Sequence, residues 1–71
     1  MERFLKWFNI EIDESRHVVM AMLRNDESVV FVILLDGQQL RVYKDENDQW
    51  SGNGDPFLIR RIGDAIERMN S

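Results

Sequence analysis

The chain has 71 residues, 44% of them hydrophobic and 31% charged, and its formal net charge is −4. This length allows one domain at most, and the chain is too apolar for intrinsic disorder at so small a net charge. An acidic chain is poorly suited to phosphate backbones or anionic lipid, so we expect no nucleic-acid or membrane partner. With no cysteine and only one histidine, His17, we expect no disulfide, metal or cofactor.

The first nine residues follow two competing patterns. Phe4, Trp7 and Phe8 have helical spacing, whereas residues 8–12 alternate between apolar and polar, which is typical of a strand. We favour a strand from about residue 6 to residue 13 and assign the aromatic side chains to core packing.

A second strand is predicted over residues 17–24, after a polar turn at residues 13–16. A helix is the competing interpretation, because Met, Ala and Leu favour helices. The adjacent Val18 and Val19 and the turn signals on both sides favour a strand. Met20 and Met22 then share one face, either as core filler or as part of an exposed apolar surface.

The segment Val29–Leu35 is apolar at every position. A strand with this pattern requires burial on both faces, whereas a single helix covers only one. The second face therefore needs the N-terminal segment, another sheet layer or another chain to cover it.

A hairpin and a short strand follow. Asp36-Gly37 predicts a type I′ turn, because glycine adopts positive φ without steric cost. The return strand is expected over residues 39–44, and a last short strand over residues 49–51 would place Trp50 beside Tyr43.

The C-terminal segment predicts the only clear helix. Asp55 is a suitable N-cap and Pro56 fits the first helical position. Gly63 is either a site of close approach by a neighbouring element or simply a tolerated glycine. The predicted apolar face consists of Leu58, Ile62, Ala65, Ile66 and Met69.

These elements predict an α+β fold: an antiparallel β-meander of four to five strands followed by one C-terminal amphipathic helix packed on one sheet face. No motif predicts catalysis. The serines fit no nucleophile motif, residues 45–50 fail the pattern of a calcium loop, and the loop before Asp55 lacks the lysine of a phosphate-binding loop. We therefore expect no enzymatic activity.

The leading hypothesis is a small, cytoplasmic, non-enzymatic interaction domain that completes its core by self-association, as a two-fold dimer. In a variant of this dimer, the edge strands of the two copies pair with each other instead. Val30→Asp or Val32→Asp is expected to disrupt assembly or folding. The candidate self-association face consists of Val30, Val32, Leu34, Met20 and Met22.

Two alternatives remain open. One is a small-molecule binding protein or enzyme with a cleft between sheet and helix, where Trp50, Tyr43 and His17 are the first candidates. The other is an acidic accessory or inhibitor protein that binds a basic partner. Its acidic patch would combine two turns that a meander places at the same end of the sheet: Asp26, Glu27, Asp45, Glu46 and Asp48.

Overall fold

Residues 1–70 form a five-stranded antiparallel sheet followed by one helix, as the sequence predicts. The computed structural model describes residues 1–70. The strands pair in chain order, so the sheet is a simple meander. The elements are β1 (Arg3–Ile12), β2 (Ser15–Leu23), β3 (Val29–Leu35), β4 (Gln38–Lys44), β5 (Trp50–Gly52) and α1 (Pro56–Asn70).

Two of the turns are two-residue hairpins with positive φ at both central positions. The values are 51° and 67° at Asp13 and Glu14, and 51° and 78° at Asp36 and Gly37. This conformation gives a turn whose twist matches that of the strands it joins. The prediction for Asp36-Gly37 is confirmed. The first turn is tighter than predicted, so β2 starts two residues earlier than expected.

The start of α1 is also as predicted. The Asp55 side chain accepts a hydrogen bond from the Phe57 N–H at 3.1 Å, and Pro56 is the first helical residue. This cap satisfies one of the N–H groups that have no partner within the helix.

The buried stripe of α1 differs from the predicted one at its end. Ile59, Ile62, Ala65 and Ile66 are buried, whereas Met69 is exposed. The prediction for Met69 is therefore wrong, and the buried stripe includes Ile59, which is not in the predicted set.

The sheet curves around α1. The backbone of α1 comes closest to β1, β4 and β5, so the outer strands approach the helix more closely than the central ones do. The core lies in the resulting concavity. Its sheet residues are Ile10, Ile12, Val19, Ile33, Leu40 and Val42.

Trp50 packs on the helix side of the sheet, and the predicted contact with Tyr43 is wrong. Tyr43 lies opposite Ser51, and Trp50 lies opposite Lys44. Neighbouring residues of a strand point to opposite faces, so Trp50 and Tyr43 are on different sides. A Cβ at Gly63 would lie 2.2–2.5 Å from three ring atoms of Trp50. Gly63 is therefore a site of close approach.

Candidate functional site

The sheet face turned away from α1, called the open face, has no other helix or strand packed on it among residues 1–70. Its side chains alternate along each strand with those that enter the core. The open face contains Phe4 and Trp7 of β1, Val18, Met20 and Met22 of β2, Val30, Val32 and Leu34 of β3, and Arg41 and Tyr43 of β4.

A β-bulge near the start of β1 brings two aromatic residues onto this face. Phe4 lies opposite Met22 and Trp7 lies opposite Met20, with the extra residue, Leu5, between them. A bulge shifts the alternation by one residue, so Phe4 and Trp7 share a face although they are three apart. The helical spacing seen in the sequence is therefore a consequence of the bulge.

The open face exposes large apolar side chains. Trp7 is 61% exposed and Leu34 65% exposed, and Phe4, Val18 and Met20 are also exposed. An exposed apolar patch on a folded chain is typical of an interaction surface. The assignment of Phe4 and Trp7 to core packing is wrong, and these two residues and Val18 lie outside the interaction surface that the sequence predicts.

The five residues proposed for self-association all lie on the open face, but with unequal exposure. Val30 and Val32 are 0% and 5% exposed within a single chain, and Met22 is partly buried. Of the five, Met20 and Leu34 are the most accessible to a partner. Aspartate at Val30 or Val32 would place a charge in a buried site, so these substitutions test folding rather than assembly.

Polar residues close part of the open face within the chain. Glu2, just before β1, forms an ion pair with Arg41 of β4. Because β2 and β3 lie between those strands, this pair spans the open face. The amino group of Met1 also donates to Asn25 Oδ1 at 2.7 Å. The N-terminal segment therefore supplies part of the cover that β3 requires.

The open face is close to neutral, although the chain as a whole is acidic. Besides Arg41, four charged residues among residues 1–70 lie on this side of the sheet or at its margin: Arg16, Arg24, Glu2 and Glu11. The chain has a net charge of −4, so the rest of the surface holds the excess of acid.

The proposed acidic patch is divided between two turns at one end of the meander. Asp26 and Glu27 lie between β2 and β3, and Asp45, Glu46 and Asp48 lie between β4 and β5. Glu27 and Asp48 have positive φ, of 69° and 61°. Aspartate adopts this conformation more readily than most residues do, so Asp48 serves the backbone geometry of its turn.

Two other carboxylates in these turns hold them closed. Asp26 accepts hydrogen bonds from the hydroxyl and the N–H of Ser28. Asp45 Oδ1 accepts from the N–H groups of Gln49 and Asn47, at 3.0 and 2.9 Å. The Ser28 hydroxyl lowers the pKa of Asp26, and the Gln49 N–H lowers the pKa of Asp45. These hydrogen bonds give both carboxylates a structural role within their turns.

The three residues proposed to line a cleft are not brought together. Trp50 lies on the helix side near the turn between β4 and β5, Tyr43 is on the open face, and His17 is at the other end of the sheet. Trp50 Nε1 instead donates to Glu67 Oε1 at 3.0 Å, and Lys44 Nζ lies 2.7 Å from the same oxygen. The Lys44 bond lowers the pKa of Glu67 and raises the pKa of Lys44.

A groove of about 460 Å³ lies between β5 and α1, with charges of both signs on its walls. No buried side-chain polar atom without a partner was found among the described residues. Nor do residues 1–70 contain a group of three or more side chains suited to hold a metal ion. The described residues of the groove therefore do not indicate a particular ligand or reaction. Its lining includes Asp48, Trp50, Phe57, Arg60, Asp64 and Glu67.

Comparisons with protein-family models, with curated proteins and with solved structures find no match to this chain. Within the part of the chain that the structure describes, α1 is neither long enough nor apolar enough to cross a membrane.

Proposed function

We propose that this chain is a small non-enzymatic interaction domain that self-associates through its open face. The observation that carries the proposal is the set of exposed apolar side chains on that face: Phe4, Trp7, Val18, Met20 and Leu34. Trp7 lies directly opposite Met20, so the exposed apolar side chains are neighbours across β1 and β2.

The folded chain exposes more surface than an average monomer of its mass. It exposes 5265 Å², whereas the usual scaling gives about 4,700 Å². The exposed apolar side chains of the open face contribute to this excess.

Charge and symmetry favour a second copy as the occupant. A two-fold interface brings the same surface of both subunits together, so a strongly acidic face would repel its copy. The open face is the near-neutral part of an acidic molecule. Two such faces stack about 10 Å apart, and an exposed tryptophan such as Trp7 is a typical anchor of an interface.

The test compares two exposed apolar residues, one on the open face and one on the helix. Leu34→Asp places a charge on the open face of each copy, where the proposed interface would bury it. It should weaken association more than about 100-fold. Phe57→Asp is the matched control, because Phe57 is 82% exposed at the start of α1. The measurement is the mass in solution by light scattering on a sizing column, over a concentration series.

We expect the wild type and Phe57→Asp to have the same mass, above that of one chain, and Leu34→Asp to have a smaller mass at the same concentration. Circular dichroism shows whether each variant keeps its fold. A wild type that is monomeric at every concentration, or a folded Leu34→Asp with unchanged mass, contradicts the proposal.

A further inference from the structure

β1 forms one edge of the sheet, so one side of its backbone has no strand partner among residues 1–70. Its pairing with β2 is regular from Lys6 to Ile12 and irregular before Lys6, where the bulge lies. An edge strand with free N–H and C=O groups is a template for another strand, and bulges limit such pairing. The part of β1 open to pairing is therefore its seven regular residues.

We infer that this segment pairs antiparallel with the same segment of a second copy, about a two-fold axis at Asn9. This inference rests on the proposed function only in taking a second copy of the chain as the partner. The surface involved is the edge of β1 and not the open face. Asn9 is the midpoint of Lys6–Ile12, so this register pairs all regular residues and leaves the bulge outside.

The register follows from the symmetry. A two-fold axis perpendicular to the sheet keeps each side chain on its own face. Residues opposite each other must then be separated by an even number of positions. With Asn9 opposite Asn9, Trp7 of one copy lies opposite Glu11 of the other, and Phe8 lies opposite Ile10. The helices of both copies then lie on the same side of one continuous sheet.

Charge along β1 supports the antiparallel direction. Arg3 and Lys6 are in its first half, and Glu11, Asp13 and Glu14 are in its second half and the turn that follows. Antiparallel pairing brings the basic first half of each strand towards the acidic second half of the other, and the attraction between opposite charges favours this direction. A parallel arrangement would set like charges together.

The edge of β1 and the open face would each form a separate two-fold interface. Used together, they give an assembly of four chains, in which two extended sheets stack through their open faces. Either surface alone gives a dimer. The mass in solution therefore depends on both surfaces, and a distance-based test is needed to tell them apart.

The absence of cysteine from the chain makes that test direct. Opposite residues of paired strands have Cα atoms about 4.5–5.5 Å apart, within the roughly 4.4–6.8 Å of a disulfide, whereas stacked sheets are about 10 Å apart. Asn9→Cys should therefore form a disulfide between copies under mild oxidation. Glu11→Cys is the matched control on the same face, because its copies would be about 13 Å apart along the strand.

We expect Asn9→Cys to cross-link more than about 100-fold faster than Glu11→Cys at micromolar protein, and to do so equally well when combined with Leu34→Asp. Equal rates for the two cysteine variants, or no cross-link at Asn9→Cys, overturn the inference. If Asn9→Cys fails to cross-link while Leu34→Asp lowers the mass, the edge pairing is wrong and the open-face proposal stands. If Asn9→Cys cross-links while Leu34→Asp leaves the mass unchanged, the edge pairing stands and the open-face proposal fails.

Discussion

The two faces of β3 differ sharply, although every residue of the strand is apolar. Ile33 is fully buried in the core, and the next residue, Leu34, is among the most exposed apolar side chains of residues 1–70. Val30 and Val32, on the same face as Leu34, are nevertheless buried. The apolar sequence of a strand therefore predicts that both faces favour burial. The exposed fraction of each side chain, however, depends on the residues that pack around it.

The two faces are also covered in different ways. The helix side is covered by close packing of side chains. Trp50, for example, fills the space beside Gly63, which has no side chain. The open side is closed in part by polar groups: the Glu2–Arg41 pair, and the Arg24 guanidinium 4.8 Å from the centre of the Tyr43 ring. Exposed ion pairs of this kind contribute little, about 0–1 kcal/mol, so we expect the helix side to supply most of the stability.

The largest expected effect compares neighbouring residues on the two faces. Ile33→Ala should lower the free energy of unfolding by about 2–5 kcal/mol, because it leaves a cavity in the core. Leu34→Ala should change that of the monomer by less than about 0.5 kcal/mol, because Leu34 is mostly in solvent. Urea unfolding at low protein concentration measures both. Similar losses for the two variants would show that the faces do not differ in this way.

The second prediction concerns the tight contact beneath α1. Gly63→Ala should lower stability by up to about 2 kcal/mol, since overpacking at Trp50 costs about 1–3 kcal/mol and exceeds the helix-propensity gain of about 1 kcal/mol. Asp64→Ala, one residue further on at an exposed site, is the control and lacks this contact. Thermal unfolding compares them. A stabilised Gly63→Ala would mean that Trp50 moves aside without cost.

The smallest expected effect is a change in pH dependence at the helix side. Lys44 and Trp50 lower the pKa of Glu67 in the folded protein. Its contribution to stability is therefore present above the unfolded value, near pH ~4.3, and is lost as pH falls through the lower folded value. Glu67→Gln should lose less stability between neutral and acid pH than the wild type does.

Urea midpoints across this pH range check that difference, with Glu46→Gln in the turn between β4 and β5 as the control. If Glu67→Gln and Glu46→Gln have the same acid profile as the wild type, the Lys44–Glu67–Trp50 contact contributes no pH-dependent stability.

Much of the candidate site was predictable, because strand alternation is a local property. The sequence places Met20, Met22 and Leu34 on the same face as Val30, and the structure agrees. The contribution of β1 was not predictable, because the bulge at Leu5 breaks the alternation that such reasoning requires. The position of Trp50 was missed for a related reason: a shift of one residue in the pairing of β4 with β5 reverses the face of every side chain.

The sequence by itself determined the elements and their order. Apolar alternation, acidic two-residue turns and the Asp55-Pro56 helix start are local signals that the chain carries within a few residues. Only the tertiary structure decided which apolar residues remain exposed, because burial depends on the curvature of the sheet around α1 and on a contact between Glu2 and Arg41, 39 positions apart. The exposed fraction of a side chain depends on all residues that surround it in space. The spacing of apolar residues along the chain does not give that information.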